Sequence, residues 1–173
     1  LQRELGGLPF VAEDLGMITD PVRDLRDQFH LPGMRVLQFA FDGDPQNPFL
    51  PQHYIHNCLA CTGTHDNNTT RGWYDSLDPE QRHRVWQSLH AAELPSDQVA
   101  LDLVRRVWES PAAISIAPMQ DILNLEKRLA IGGGGWCPRW IGNPHCTVWV
   151  SSHAGRDAPQ AAKSDRCPPG SDR

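Results

Sequence analysis

Four short apolar runs, at residues 8–12, 35–41, 58–62 and 113–117, each give way within a few residues to carboxylates and amides. This pattern constrains the fold more than any other feature of the chain. The polar followers are Glu13 and Asp14, then Asp42 and Asp44, then His65 and Asp66, and finally Gln120 and Asp121. Strands that are apolar throughout, rather than on alternate residues, are buried on both faces, as in a parallel sheet covered by helices. Helical segments lie between the runs. Asp20 is a plausible N-cap with Pro21 at the first helical position, Val22, Leu25 and Phe29 line one face, and Leu31-Pro32-Gly33 ends the helix. Asp78-Pro79-Glu80-Gln81 comes close to a capping box. Ser96 caps another helix, whose stripe of Val99, Leu103, Val107 and Trp108 stops at Ser110-Pro111. The fold class is therefore α/β, with residues 1–125 as the folded part.

In a (β/α)8 barrel, strand ends of this kind open on one face, where active sites sit. A doubly wound open sheet would also gather them. No Gly-x-Gly-x-x-Gly follows the first run, which argues against a dinucleotide-binding version of that sheet. Four strands make only half a barrel. The 42–57 segment, rich in Asp, Pro and Asn, is long enough to be either functional or disordered.

Two of the clustered carboxylates suggest a chemistry. Glu13, in VAEDLG at 11–16, and Asp66, in TGTHDNNTTRGW at 62–73, each stand just past a run. Acid-assisted glycosidic cleavage needs such a pair, a proton donor and a negative group facing an oxocarbenium-like transition state. The plainer reading makes both of them loop residues that cap the helices behind them. His65 beside Asp66 tips the balance towards a site.

Composition narrows the partners. A net charge of −5 argues against a general nucleic-acid binder. No apolar run approaches the ~20 residues that span a bilayer, and nothing resembles a signal peptide, so a cytoplasmic chain without membrane contact is expected. Leu1 in place of Met, with the first run close behind, is expected of a piece of a longer chain. Cys58 and Cys61 form a lone CxxC. A structural zinc site needs four ligands, which His53 and His56 would have to complete, so buried thiols are the expected state. Near Leu125 the composition breaks. Residues 1–125 hold 9 Arg, no Lys and 17 acidic residues, whereas 126–173 hold 7 basic and 4 acidic residues with 7 Gly and 5 Pro. That second part shows no apolar periodicity and is expected to be a poorly ordered tail.

Taken together, VAEDLG at 11–16, LPGMRVLQFAF at 31–41, NPFLPQHY at 47–54, TGTHDNNTTRGW at 62–73 and MQDIL at 119–123 closely resemble the amylomaltases, the 4-alpha-glucanotransferases of glycoside hydrolase family 77. The resemblance covers essentially all of 1–125. It implies a partial (β/α)8 TIM barrel, roughly strands five to eight, in an enzyme that moves a segment of an α-1,4-glucan to the 4-hydroxyl of another glucan. Maltooligosaccharide donors and acceptors are the implied partners, with no cofactor. Glu13 takes the position of the general acid/base, Asp66 that of the transition-state carboxylate and His65 that of its sugar-contacting neighbour. Asp14 falls at the rim of the same site. Glu13 would need burial near other carboxylates to stay protonated until it acts. Asp42, Asn67, Gln120 and Asp121 complete the expected substrate contacts; Asn67, Asn68 and Trp73 serve equally well as capping or packing residues.

The departures matter too. The family's nucleophile, an Asp at the end of the fourth barrel strand, has no counterpart in these 173 residues, so the isolated chain is expected to be inactive without an N-terminal half-barrel. Cys61 and Asn68 stand where members usually have Tyr and Asp. After Leu125 the resemblance stops at EKRLAIGGGGWCPRWIGNPHC, as a reading-frame error or a genuinely different tail would leave it. An α-glucan hydrolase, or a glucan-binding remnant without catalysis, are the alternative functions.

Overall fold

The computed structural model of the chain describes residues 2–5, 8–127 and 149–152. In chain order the elements are α1 (Gln2–Leu5), α2 (Asp20–Gln28), β1 (Gly33–Val36), 3-10 turns at Leu37–Phe39 and Pro51–His53, β2 (Cys58–Cys61), α3 (Thr70–Ser76), α4 (Pro79–Ser88), α5 (Ser96–Glu109), β3 (Ile114–Ala117), α6 (Met119–Ile122) and β4 (Trp149–Ser152). The strands lie side by side in sequence order. β1 runs parallel to β2, with Gly33 opposite Cys58, and β2 runs parallel to β3, with Leu59 opposite Ile114. β4 closes the edge antiparallel to β3. It lies within the stretch expected to be disordered; residues 128–148 and 153–173 of that stretch are outside the described residues.

Four expectations change. Helix α2 has Thr19 as its cap, in extended geometry, so that Asp20 is its first residue and Pro21 its second. The run at 8–12 makes no full strand. It meets β1 through one parallel bridge, Ala12 to Gly33, and Phe10 and Val11 remain exposed. The run at 35–41 keeps strand geometry only to Val36 and then tightens into a 3-10 turn, where the Gln38 amide donates to Thr62 O at 3.1 Å. Ser96 is the first residue of α5 and not its cap. Its hydroxyl bonds the Asp75 carboxylate, and Pro95 precedes it in extended geometry.

Alternate strand residues feed two cores, as the pleat requires. Cys58 and Ala60 face the helices and pack with Leu37, Tyr74, Val85, Trp86, Leu103 and Val107. Leu59 and Cys61 point to the other side, into a smaller cluster with Val36, Met34, Ile114 and Ile116. The larger core is pinned by a polar thread. Trp86 Nε1 donates to the Tyr74 hydroxyl at 2.8 Å, which donates to Glu93 at 3.1 Å, while the Arg82 guanidinium lies 5.2 Å from the Tyr74 ring centre. Among the described residues the apolar stripe on α2 has no such cover, and Val22, Leu25 and Phe29 are all exposed.

Helix α4 starts as its sequence expects. Asp78 accepts from the Gln81 amide at 2.8 Å, and the Gln81 side chain accepts from the Asp78 amide at 2.9 Å. Both orphan donors are thereby satisfied, with Pro79 in the first turn. Asp78→Ala should lower the unfolding free energy by about 1 kcal/mol, read as a lower urea midpoint at unchanged m-value.

Candidate active site at the strand ends

Because β1, β2 and β3 are parallel, their carboxyl ends open on one edge of the sheet. Most of the residues expected in the site follow those ends, and they divide into exposed and buried groups.

Glu13 sits between two residues that are firmly held. The Ala12 amide donates to Pro32 O at 2.8 Å. Asp14 Oδ1 accepts from the Met34 amide at 2.7 Å, and its Oδ2 takes Arg26 at 2.5 Å and Arg35 at 3.5 Å. The Asp14 side chain is only 7% exposed, and it lies so close to β1 that a Cβ at Gly33 would stand 2.5 Å from Oδ2. Glycine at 33 is therefore a condition of this contact. Burial by itself would lower the Arg26 guanidinium, but hydrogen bonds to Asp27 and Asp14 outweigh it and hold the group above its usual value. Asp14, expected at the rim of the site, thus spends its oxygens on the protein. Glu13 is exposed, and the burial expected around it is not supplied by the described residues.

His65 and Asp66 project from the turn after β2, exposed by 89% and 82%, with His65 Nε2 3.2 Å from Asp66 Oδ1. Asn67 shapes that turn. Its Oδ1 accepts from both the amide and the hydroxyl of Thr64, each at 2.8 Å. Asn68 Oδ1 accepts from the Thr69 amide, and Thr69 caps α3 by accepting from the Gly72 amide at 3.1 Å. Asn67 and Asn68 therefore both use their side-chain oxygens locally. Asp42 is a turn residue too. The bond from the Asp44 amide, with help from Asn47, lowers its carboxyl below the usual value. Gln120 is half-buried in α6.

Asp121 is 2% exposed. Its Oδ2 accepts the Thr62 hydroxyl at 2.5 Å and the Thr70 hydroxyl at 2.6 Å, and its Oδ1 accepts the Thr70 amide at 2.8 Å. Gln38 reaches the same place from the 3-10 turn after β1, donating from Nε2 to Asn68 O at 3.1 Å and to Thr70 Oγ1 at 3.4 Å. Gln38, Thr62 and Thr70 had no signal in the sequence, because their partners lie as far as 59 residues away. Cys58 and Cys61 are free and buried. Burial, reinforced by the neighbouring Asp121 charge, pushes the Cys61 thiol up to about 12. Among the described residues no helix is long and apolar enough to cross a membrane.

The Asp14 contacts carry a stability consequence. Asp14→Ala leaves Arg26 and Arg35, whose side chains are 15% and 13% exposed, without their shared partner. Removing one member of such a pair costs about 3 kcal/mol. Chemical denaturation should show that loss, and Asp14→Asn, which keeps an acceptor for the Met34 amide, should lose less.

Comparison with known proteins identifies the family. The family model described as 4-alpha-glucanotransferase matches residues 1–134, and so runs past Leu125, where the resemblance was expected to stop. The 4-alpha-glucanotransferase of Synechocystis sp. is 42% identical over 161 residues, which is 88% of this chain and 31% of that protein. That of Thermus thermophilus is 40% identical over 153 residues, 82% of this chain and 30% of the relative. Among solved structures, the amylomaltase from Streptococcus agalactiae in complex with acarbose superposes with a TM-score of 0.68 at 30% identity, covering 78% of this chain and 28% of that one. The chain spans about a third or less of the length of the curated relatives it matches. With a matched model over more than half its residues, the chain belongs to the 4-alpha-glucanotransferase family, glycoside hydrolase family 77.

Proposed function

We propose that this chain supplies two catalytic carboxylates to a 4-alpha-glucanotransferase, which transfers a segment of a 1,4-α-glucan to the 4-hydroxyl of an acceptor glucan or glucose with retention of configuration. One observation carries the reading. Glu13 and Asp66 are exposed, while the carboxylates nearest them in role, Asp14 and Asp121, are turned into the protein. In the proposed cycle Glu13 gives its proton to the leaving glycosidic oxygen as a carboxylate nucleophile attacks the anomeric carbon. It then takes the proton of the incoming 4-hydroxyl as the new C–O bond forms and the nucleophile leaves. Asp66 stays ionised beside the developing positive charge, with His65 against the same sugar. Retention requires the nucleophile about 5–5.5 Å from Glu13. The reading assigns it to a strand that these 173 residues do not contain.

The architecture supports a partial barrel. β1, β2 and β3 lie parallel in chain order, and the buried cluster of Val36, Leu59 and Cys61 is small, with the half-buried Leu15, Met34, Ile114 and Ile116 packed against it. In a closed barrel that cluster is the interior, and the exposed Phe10, Val11, Val22, Leu25 and Phe29 mark the seam for the N-terminal half. Bound acarbose in the Streptococcus agalactiae amylomaltase fits a maltooligosaccharide ligand for this site as well.

The test joins this chain to the preceding two thirds of the Synechocystis relative and follows maltotriose conversion. Glucose together with products longer than maltotriose is the expected outcome, and glucose and maltose alone would indicate hydrolysis instead. Glu13→Gln and Asp66→Asn should each reduce kcat by about 10²–10⁴-fold. Conversion by the 173 residues alone, abolished by Glu13→Gln, would overturn the placement of the nucleophile. A joined enzyme indifferent to Glu13→Gln would overturn the site.

A further inference from the structure

We propose that Asp121 is a positioning residue. From its buried place in α6 it ties down both ends of the 63–69 segment and so sets where His65 and Asp66 stand. This rests on the reading of Asp66 as the transition-state carboxylate.

The geometry is specific to the two ends of that segment. Thr62 is the first residue after β2 and Thr70 the first of α3, and their hydroxyls converge on one oxygen, Asp121 Oδ2. The other oxygen takes the Thr70 amide, one of the donors that a helix start leaves without a partner. Gln38 closes the arrangement from the turn after β1. Its backbone amide holds Thr62 O, and its side chain holds Asn68 O and Thr70 Oγ1. Thr70 Oγ1 thus receives from Gln38 and donates to Asp121, a consistent relay. A Cβ at Gly63 would stand 2.8 Å from Gln38 Nε2, so the segment's first residue is also closely packed against the clamp. His65 and Asp66 project outward from the segment, fastened on both sides.

Direct contact between Asp121 and a sugar does not fit these facts. Its oxygens already accept three hydrogen bonds, and a ligand would have to displace a threonine hydroxyl from a site that is 2% exposed. A carboxylate in such a place is held by its donors, and the donors are held by it. Because a hydrogen-bonded loop end cannot shift without breaking a bond to a buried charged group, the clamp restrains the exposed pair at a distance.

Amide hydrogen exchange on the 173-residue chain, without glucan, tests the clamp. Thr70→Val keeps shape and the backbone amide but removes the hydroxyl. Amides of 64–69 should then exchange at least about tenfold faster, while those of β1 and β2 keep their wild-type rates. Thr70→Ser, which keeps the hydroxyl, should stay within about twofold of wild type. Thr62→Val, which deletes a single donor, is the second variant should Thr70→Val not fold, with the same local pattern expected. Unchanged exchange in 64–69 would overturn the proposal, and so would an equal rise across β1 and β2, the mark of a purely structural role. In the joined enzyme Thr70→Val should lower kcat about tenfold, with recovery in Thr70→Ser; an unchanged kcat beside a loosened segment would also overturn it. Failure of the glucanotransferase reading is seen separately, as an inactive joined wild type, and leaves the exchange result to decide on the clamp.

Discussion

The set of hydrogen bonds converging on Asp121 is the constraint on which the rest of the structure depends. It joins the ends of β1, β2 and β3, through Gln38, Thr62 and α6, at the edge of the sheet where the exposed carboxylates emerge. Burying an acidic group is costly unless its oxygens are satisfied, and here three donors satisfy them. None of the three can move alone. The same carboxylate bears on the thiol of Cys61, already raised by burial, so the polar centre is felt within the sheet as well.

A division of labour among carboxylates follows from solvent access. Asp14 and Asp121 have little contact with water and hold backbone amides, hydroxyls or guanidiniums of their own chain. Glu13 and Asp66 stand one and four residues away from a held position, Asp14 and Thr62 respectively, with their side chains in solvent. A group that is to meet a ligand must not already be spent on the protein, and a group that orients it must be. The adjacency of Glu13 and Asp14 puts both requirements in consecutive residues. Under the proposed function this explains why the acidic dipeptide is needed, and not one carboxylate alone.

The sheet was legible in the sequence where an apolar run lies between sheet neighbours, as at 58–62, buried on both faces, and at 113–117, buried on one face and half-buried on the other. The capping box at Asp78 was legible because its partners are three residues apart. Where the run at 8–12 has no neighbour on its outer side among the described residues, apolar character alone does not make a strand, and one bridge at Ala12 is all that forms there. The same reasoning covers α2, whose stripe of Val22, Leu25 and Phe29 was readable although nothing among the described residues covers it. Helix α3 was legible only as a helix behind Asp66, whereas its cap is Thr69, three residues on. The clamp was not legible at all. Thr62, Thr70 and Gln38 are ordinary polar residues until the fold brings them to Asp121, and β4 lies in a stretch whose composition speaks against order.

The central claim is that the exposed carboxylates at the strand ends of this chain face one glucan. An experimental structure of the joined enzyme, carrying Glu13→Gln and soaked with a maltooligosaccharide, tests it most directly. The account predicts a sugar ring lying against residue 13, His65 and Asp66 at the carboxyl ends of β1 and β2, with the Asp121 hydrogen bonds intact. A glucan bound at the amino ends of the strands, or one whose hydroxyls displace Thr62 or Thr70 from Asp121, would contradict it.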